Sequence, residues 1–463
     1  MNTWKTAVCA TIALTLLPGR LDAADLTRAK TLTAAVAGEL AAKAGGLRLQ
    51  VTELPADVAA ALAASKGTLG FEALTSLSPQ AAAALAAHTN VIDLPKVASL
   101  TPDAAKALAG TTAELALAAV TELPAAVAAE LAAHKGMLAI GVTELSDEAA
   151  AALAKHGGQL RLDGLKSLTS LPLAERLGRQ EWLFLNSVTR ITPEIAKAIC
   201  PPENRVRFKD HVQLYIGLTE LSPEVAAAIM AGRGHISANS LEAISDEAAA
   251  AWAGPFANIR LFGLKKISPA AAAALATGGG IFDIRAFGPE FDDETAAALA
   301  KQMRDGPCRM VDLNGLKKLS SPDLAIVALR RTGQGPHSTL NGVAEITPAV
   351  AAAIAGCKEN LNPLPGLTSL TSAPVAAKYA AQSGNLTFKK LATIPDDVAV
   401  ALATHKGNLD LSGLQSLSDD AAKALARHDG PVILSGLTTV SEAGLTALRA
   451  NDTIVLPANL TKQ

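Results

Sequence analysis

The histidines are the residues of this sequence whose regular spacing most resembles that of a catalytic or metal-binding site. Five of the eight histidines occupy one position of a recurring segment, eleven residues after an apolar residue that we call the anchor. This position falls at the C-terminus of a short predicted helix, where an imidazole can satisfy carbonyl groups and suits the helix dipole. Histidines of consecutive repeats could approach each other, but a zinc site needs further protein ligands, so we expect no metal. The five are His88, His134, His156, His405 and His428.

The familiar catalytic sequence motifs are absent. The chain contains no GxxxxGK segment followed by Ser or Thr, no HExxH, no GxSxG and no CxxC. Residues Gly278, Gly279 and Gly280 are interpreted as a helix stop and turn, because no strand leads into them. The carboxylates stand at predicted helix N-termini, where capping explains them. We therefore predict that the protein is not an enzyme and uses no cofactor.

The segment Leu409–Gly430, LDLSGLQSLSDDAAKALARHDG, shows the unit from which the chain is built. Leu409 and Leu411 alternate with polar residues, which predicts a short half-buried strand. Ser418 is the predicted N-cap of the helix that follows, and Gly430 stands where a left-handed C-cap is expected. Strand, cap, helix and stop agree within these 22 residues, which favours one strand and one helix per repeat.

The anchor of this segment is Leu417, and the same position recurs along the chain, mostly every 23 residues. This period is too short for helix-pair repeats of about 34 residues and suits one strand plus one helix. We predict an α/β solenoid with parallel strands on one face and short helices on the other, right-handed by the crossover rule. The anchors are Leu54, Leu77, Leu100, Leu123, Leu145, Leu168, Ile191, Leu221, Ile244, Ile267, Phe291, Leu319, Ile346, Leu370, Ile394, Leu417 and Val440.

The repeat resembles that of the leucine-rich-repeat superfamily, especially short Ala-rich variants in secreted bacterial proteins. The family pattern is L-x-x-L-x-L-x-x-N/C-x-L, and Leu409, Leu411 and Leu417 match its strand and return. The resemblance covers roughly residues 30–456 and implies an arc used for protein binding. The chain departs from the pattern where the family has Asn, so the asparagine ladder is missing. Apolar residues stand there instead, as at Leu165, Leu264, Leu414 and Leu437.

The unbroken repeat decides the domain organisation of the 463-residue chain. We expect residues 25–46 to form a helical N-terminal cap and residues 47–463 a solenoid of about 17 repeats, with irregular units near 200–213 and 301–340. A net charge of −2 and an aromatic content of 3% predict no nucleic-acid partner. No later apolar stretch approaches the roughly 18 residues of a membrane span, so we do not expect the protein to span a membrane.

The N-terminus has the organisation of a secretory signal peptide. Lys5 precedes the apolar run Ala7–Leu17, and the small residues Ala23 and Ala24 follow. We expect residues 1–24 to be removed and the mature protein to be secreted or held in the periplasm or cell envelope. A buried N-terminal helix is the alternative.

The largest departure from the regular spacing follows Cys200. The insert Pro201–His211 is charged and carries one phenylalanine, Phe208. Insertions in repeat proteins map to loops on one face, which is often the binding face. The alternative is a surface loop without a role, because loops lengthen at little free-energy cost.

Outward-facing side chains in the middle of the chain are larger and more polar than those on flanking strands, where Ala116, Ala118, Ala139 and Gly141 stand. Arginine and aromatic residues dominate binding energy when they are exposed together. We therefore predict a protein-interaction scaffold that binds a protein partner on these residues. The alternative function is a self-associating structural or envelope protein. The alternative role of the residues themselves is only to solvate a strand face. The predicted binding residues are Arg161, Asp163, Phe184, Asn186, Tyr215, Ser237, Asn239, Arg260, Phe262, Asp312 and Asn314.

Overall fold

The computed structural model describes residues 27–461, apart from 44, 208–211, 255–257, 278–280, 285–287, 289, 307–309, 333–334 and 337. The predicted signal peptide, the three glycines at 278–280 and the end of the insert lie outside the described residues. The chain divides into two compact units, Met1–Leu218 and Thr219–Gln463, which we call the N-terminal and C-terminal units.

The N-terminal unit alternates short helices with short strands. Its strands are β1 (Leu47–Leu49), β2 (Leu69–Phe71), β3 (Val91–Asp93), β4 (Glu114–Leu117), β5 (Leu138–Ile140), β6 (Leu160–Arg161), β7 (Trp182–Leu185) and β8 (Gln213–Ile216). Its helices are α1 (Ala34–Lys43), α2 (Ala56–Ala63), α3 (Pro79–Leu85), α4 (Pro102–Ala109), α5 (Ala125–Leu131), α6 (Asp147–Leu153), α7 (Leu171–Gly178), α8 (Pro193–Ile199) and α9 (Glu203–Arg207).

The C-terminal unit continues the same alternation. Its strands are β9 (His235–Ser237), β10 (Asn258–Arg260), β11 (Ile281–Asp283), β12 (Met310–Asp312), β13 (Lys318–Leu319), β14 (Arg331–Thr332), β15 (Gly335–Pro336), β16 (Ser338–Thr339), β17 (Glu345–Ile346), β18 (Leu386–Thr387), β19 (Leu409–Asp410), β20 (Val432–Ile433) and β21 (Ile454–Val455). Its helices are α10 (Pro223–Gly232), α11 (Asp246–Trp252), α12 (Pro269–Ala276), α13 (Asp293–Asp305), α14 (Pro322–Leu329), α15 (Pro348–Gly356), α16 (Ala373–Ala380), α17 (Asp396–Ala403), α18 (Asp419–Leu425), α19 (Glu442–Arg449) and α20 (Ala458–Thr461).

Parallel pairing between consecutive repeats confirms the α/β repeat fold. In the N-terminal unit β1 to β6 form one parallel sheet in chain order, and β7 pairs with β8 in parallel. In the C-terminal unit β9 to β12 are followed by β16 in one parallel sheet, and β18 to β21 form another. The antiparallel pair of β14 and β15 is a local hairpin in the irregular region near residue 330.

Leucines of the strands and turns and alanines of the helices fill the core between strands and helices. Leu409, Leu411 and Leu414 are fully buried, as are Ala421 and Leu425 of α18. The Asn position of the resembled repeat therefore holds a buried leucine, which packs where an asparagine would form hydrogen bonds. Alanine dominates the buried helix face because neighbouring helices pack side by side.

The predicted N-cap of the unit is confirmed. Ser418 precedes α18 with an extended backbone, and its hydroxyl accepts a hydrogen bond from the Ala421 amide at 3.0 Å. The same hydroxyl donates to the carboxylate of Asp396, the first residue of the preceding helix. The cap therefore joins two repeats as well as starting one helix.

The left-handed C-cap predicted at Gly430 is wrong. Among the described glycines only Gly384 has a positive φ, of 101°. Ala426, the residue that follows helix α18, has right-handed geometry. Gly430 instead lies against the preceding repeat. A Cβ at Gly430 would stand 2.9 Å from the Gly407 carbonyl oxygen, so close stacking of repeats explains the glycine.

Candidate functional site

Three of the predicted binding residues form one stack in the N-terminal unit. Phe184 of β7 and Tyr215 of β8 are partners in the strand register, and their rings are parallel with centroids 4.9 Å apart. The guanidinium carbon of Arg161, on β6, lies 4.8 Å from the centre of the Phe184 ring. A cation above an aromatic face is attracted by the ring quadrupole. We call Arg161, Phe184 and Tyr215 the aromatic cluster.

Polar neighbours fix the orientation of the aromatic cluster. Arg161 Nη2 donates to Asp163 Oδ2 at 2.6 Å, and the Arg161 side chain remains 37% exposed. The Tyr215 hydroxyl donates to Gln213 Oε1 at 2.8 Å. Asp163 therefore positions the arginine, while the exposed Asn186 follows on the same side of β7. The ion pair is accessible to solvent, so it contributes orientation more than stability.

A shallow depression of about 350 Å³ lies beside the aromatic cluster. Alanines and glycines form its floor, including Ala116, Ala139 and Gly141, and Arg161 and Asp163 form its wall. Two atoms of this wall, Arg161 Nε and Asp163 Oδ1, are shielded from water and make no hydrogen bond. The small residues, which the sequence analysis placed on the flanking strands, therefore leave a space next to two polar atoms that lack hydrogen-bond partners.

The predicted residues of the C-terminal unit do not form a comparable stack. Arg260 and Asn239 are exposed and Phe262 is half-buried. Ser237 and Asp312 are 5% and 4% exposed, so the prediction that they face solvent is wrong. Both are drawn into local turns, because the Ser237 hydroxyl donates to Asn239 Oδ1 and Asp312 Oδ1 accepts from the Asn314 amide.

Sequence reasoning missed one acidic position in this row. Asp283 of β11 is the register partner of Asp312 on β12 and of Arg260 on β10, and it is 2% exposed. The signal was present, since Asp283 stands 23 residues after Arg260.

A charged cluster on β1 to β3 was also missed. Arg48 forms an ion pair with Glu72 and lies 3.6 Å from Asp93. Burial raises the pKa of Asp93, and the charge of Arg48 partly counters this. These residues come from three successive repeats, so only the stacking register brings them together.

The recurrent histidine position forms a buried polar ladder between repeats. His405 donates from Nδ1 to the Ala380 carbonyl at 3.0 Å, and that carbonyl ends the preceding helix, α16. His428 repeats this contact with Ala403, the last residue of α17, at 3.2 Å. Other polar residues take the same place in other repeats. They include Thr111, Gln180 and Asn451, whose side chains bind carbonyls of His88, Leu160 and Ala426.

The histidines stack in pairs, as the sequence suggested they could. Ring centroids are 6.1 Å apart for His134 and His156 and 6.2 Å apart for His405 and His428. No group of three or more His, Cys, Asp or Glu side chains in the described part of the chain is arranged to hold a metal ion. The second pair, His405 and His428, instead satisfies carbonyls that helix ends leave without partners.

Comparison with known proteins adds little to this geometry. No family model matches the chain, and no curated protein matches it. A solved structure titled as the Toll–Spatzle complex of Drosophila is 12% identical, covering 80% of this chain and 42% of that chain, with a TM-score of 0.31. An internalin from Listeria monocytogenes str. 4b F2365 is 10% identical, covering 91% of this chain and 88% of that chain, with a TM-score of 0.24.

The chain thus spans 42% of the length of the chain that it matches in that complex. The fold is defined by the alternating helices and parallel strands themselves. Within the described ranges of residues 27–461, none of the helices combines the length and apolar character needed to cross a bilayer.

Proposed function

We propose that the protein is a protein-interaction scaffold that binds its partner on the strand face of the N-terminal unit. The aromatic cluster is the observation that supports this role. Arginine and tyrosine are enriched among the residues that dominate interface energies. Stacking and the contacts to Asp163 and Gln213 hold the side chains in place before binding, so less conformational entropy is lost when a partner docks.

The shape of this surface suits a partner that inserts a small protruding group. The depression beside Arg161 has room for one or two side chains, and its alanine and glycine floor is apolar. The exposed part of the Arg161 guanidinium at the wall can donate to a carbonyl or carboxylate oxygen of the partner.

Export is part of the same proposal. The basic residue Lys5, the apolar run Ala7–Leu17 and the small residues Ala23 and Ala24 support it. N-terminal sequencing of the exported protein should begin between Ala23 and Asp25. An intact Met1 in the exported fraction would contradict export through a cleaved signal peptide.

The binding proposal is tested by comparing variants in one capture experiment. The parent, the double variant Phe184→Ala/Tyr215→Ala and a control Leu171→Ala are immobilised and exposed to culture supernatant and envelope extract. Leu171 is a suitable control because it is exposed and apolar but starts helix α7. Partners captured by the parent and the control, and lost by the double variant, are then purified and titrated.

We expect the double variant to weaken binding at least about 30-fold, the loss of a hot spot worth about 2 kcal/mol. Light scattering of the purified protein separates this outcome from self-association, which would give a concentration-dependent mass. Equal capture by the parent and the double variant, or no captured protein at all, overturns the proposed surface.

A further inference from the structure

A second concave site in the N-terminal unit lies between the ends of α6 and α7. The pocket has a volume of about 550 Å³, and its lining carries four basic side chains, one acidic side chain and one tryptophan. The whole chain has a net charge of −2, so this concentration of positive charge is local. The charged residues and the tryptophan are Lys155, Arg176, Arg179, Glu181, Arg207 and Trp182.

Arg176 is the fixed member of this group. Its Nε and Nη2 donate to the carbonyls of His156 and Gly158, which belong to the loop after α6. Burial lowers the pKa of Arg176, and the nearby charge of Arg179 lowers it further. A guanidinium has five N–H donors, and among the described residues none accepts from Nη1. Arg176 is therefore held with donors left for a ligand.

Lys155 and Arg179 bring further charge without a protein counter-ion. In the described part of the chain no carboxylate lies within 4.0 Å of either cation, so their charge in the pocket is not neutralised by an ion pair. The dipole of a helix accounts for one basic residue at each C-terminus. The dipole does not account for several basic residues that meet in one pocket from the ends of α6 and α7 and from α9. Like charges in one pocket repel one another.

Trp182 supplies a different kind of contact. It is 44% exposed although it is the first residue of strand β7, and it lines the same pocket. An exposed indole beside several cations offers a flat face for a ring and leaves the cations to bind the ring's substituent.

We propose that this pocket binds a small molecule that carries an oxyanion, a phosphate or a carboxylate, on a planar ring. The oxyanion is held by Arg176, Arg179 and Lys155, with the paired donors that guanidinium groups present to such anions. The ring stacks on Trp182. This site goes beyond the proposed protein-binding surface, since none of its lining residues belongs to the aromatic cluster.

Isothermal titration with three probes tests the proposal on the full-length mature protein. The probes are phenyl phosphate, benzoate and inorganic phosphate, the last of which lacks the ring. We expect phenyl phosphate or benzoate to bind at least about tenfold more tightly than inorganic phosphate. The comparison of phenyl phosphate with benzoate shows which oxyanion the pocket prefers. The affinity should fall as the salt concentration rises, because the cations are partly exposed.

Variants identify the residues responsible. Arg179→Gln should weaken phenyl phosphate about tenfold or more, and Trp182→Ala should reduce its affinity to that of inorganic phosphate. Arg427→Gln is the matched control, because Arg427 is exposed just after α18, in the position that Lys155 has after α6. If Arg179→Gln is poorly folded by circular dichroism, Lys155→Gln replaces it.

Phe184→Ala should bind phenyl phosphate as the parent does, which keeps this test independent of the protein-binding surface. The proposal is overturned if neither ring compound binds more tightly than inorganic phosphate. Equal losses in Arg179→Gln and Arg427→Gln overturn it as well, since they would indicate general surface charge rather than a site.

Discussion

The buried polar side chains of this protein differ in whether they have partners, and this difference decides their energetic role. Thr111, Gln180 and Asn204 each bind a backbone carbonyl of the preceding repeat. The Tyr379 hydroxyl, packed beside Phe388, has no hydrogen-bond partner. Burial raises the pKa of Tyr379, so the phenol is neutral at physiological pH. A buried hydroxyl without a partner costs free energy relative to water.

Tyr379→Phe should therefore stabilise the protein. The substitution removes the unsatisfied hydroxyl and keeps the ring packed against Phe388, so we expect the free energy of unfolding to rise by about 1 kcal/mol. Urea denaturation followed by far-ultraviolet circular dichroism measures the change. Tyr215→Phe is the control, because it removes a hydroxyl that donates to Gln213 and should bring no gain. A less stable Tyr379→Phe variant would mean that the hydroxyl is bound in solution.

Close contact between repeats depends on glycines whose backbone geometry is ordinary. A Cβ at Gly407 would lie 2.2 Å from the Gly384 carbonyl oxygen, whereas Gly38, inside helix α1, has nothing within 4 Å. Gly407→Ala should cost about 1–3 kcal/mol through backbone displacement. Gly38→Ala should instead stabilise by about 0.5–1 kcal/mol, because alanine favours helix. Thermal denaturation of both variants shows whether Gly407→Ala is less stable and Gly38→Ala more stable than the parent. An unchanged stability of Gly407→Ala would show that the repeats can move apart at no cost in free energy.

At the scale of single elements, the helix cap and the strand core contribute unequally to stability. Ser418→Ala removes the acceptor for the Ala421 amide and should cost about 1 kcal/mol. Leu411→Ala leaves a cavity at a fully buried position and should cost about 2–5 kcal/mol. Chemical denaturation of the two variants gives the order. If Ser418→Ala were the more destabilising, its contact with Asp396 in the preceding helix would outweigh the packing of a core leucine.

The elements of each repeat could be predicted because their signals are local. The alternation around Leu409 and Leu411 and the cap at Ser418 are complete within a few residues, and the structure has a strand and a helix there. The α/β repeat with parallel strands follows from these local signals together with the period of about 23 residues. The role of Gly430 was predicted wrongly because the residue is required by a contact with the Gly407 carbonyl, 23 residues earlier in the chain. The sequence near a helix end indicates how the helix stops, but it does not show contacts between repeats.

The candidate sites were predictable only in part, for the same reason. Arg161, Phe184 and Tyr215 stood out as large residues at equivalent strand positions, although spacing could not show that they stack. The burial of Asp312 depends on a turn whose amide binds the carboxylate. The basic pocket joins residues from the ends of two helices with Arg207 of the insert, and no single repeat contains its pattern.

At the scale of the whole molecule, the two units contain histidine pairs in opposite environments. His134 and His156, in the N-terminal unit, are buried and none of their ring nitrogens makes a well-formed hydrogen bond. His405 and His428, in the C-terminal unit, direct both ring nitrogens at carbonyl oxygens, at 2.8 to 3.2 Å. A carbonyl accepts and an imidazole N–H donates, so the C-terminal pair has hydrogen-bond partners that the N-terminal pair lacks.

Acid should therefore weaken the N-terminal pair selectively. Burial, the largest cause, lowers the pKa of His134 and of His156, and the charge of Arg176 lowers that of His156 further. A histidine whose folded pKa lies below its unfolded value of about 6.5 binds fewer protons when folded. Its contribution to stability is complete above about pH 6.5 and is lost as the pH falls below that value.

Hydrogen exchange read by mass spectrometry at pH 7 and pH 5 resolves the two pairs. After correction for intrinsic exchange rates, segment 125–160 should lose more protection at pH 5 than segment 396–432, whose histidines have carbonyl partners. The double variant His134→Gln/His156→Gln should abolish the loss, because glutamine does not titrate and Gln180 already fills the equivalent position in the next repeat. Equal loss of protection in both segments would show that the carbonyl contacts of His405 and His428 do not distinguish the pairs. In that case the acid response would belong to the chain as a whole rather than to the unpartnered histidines.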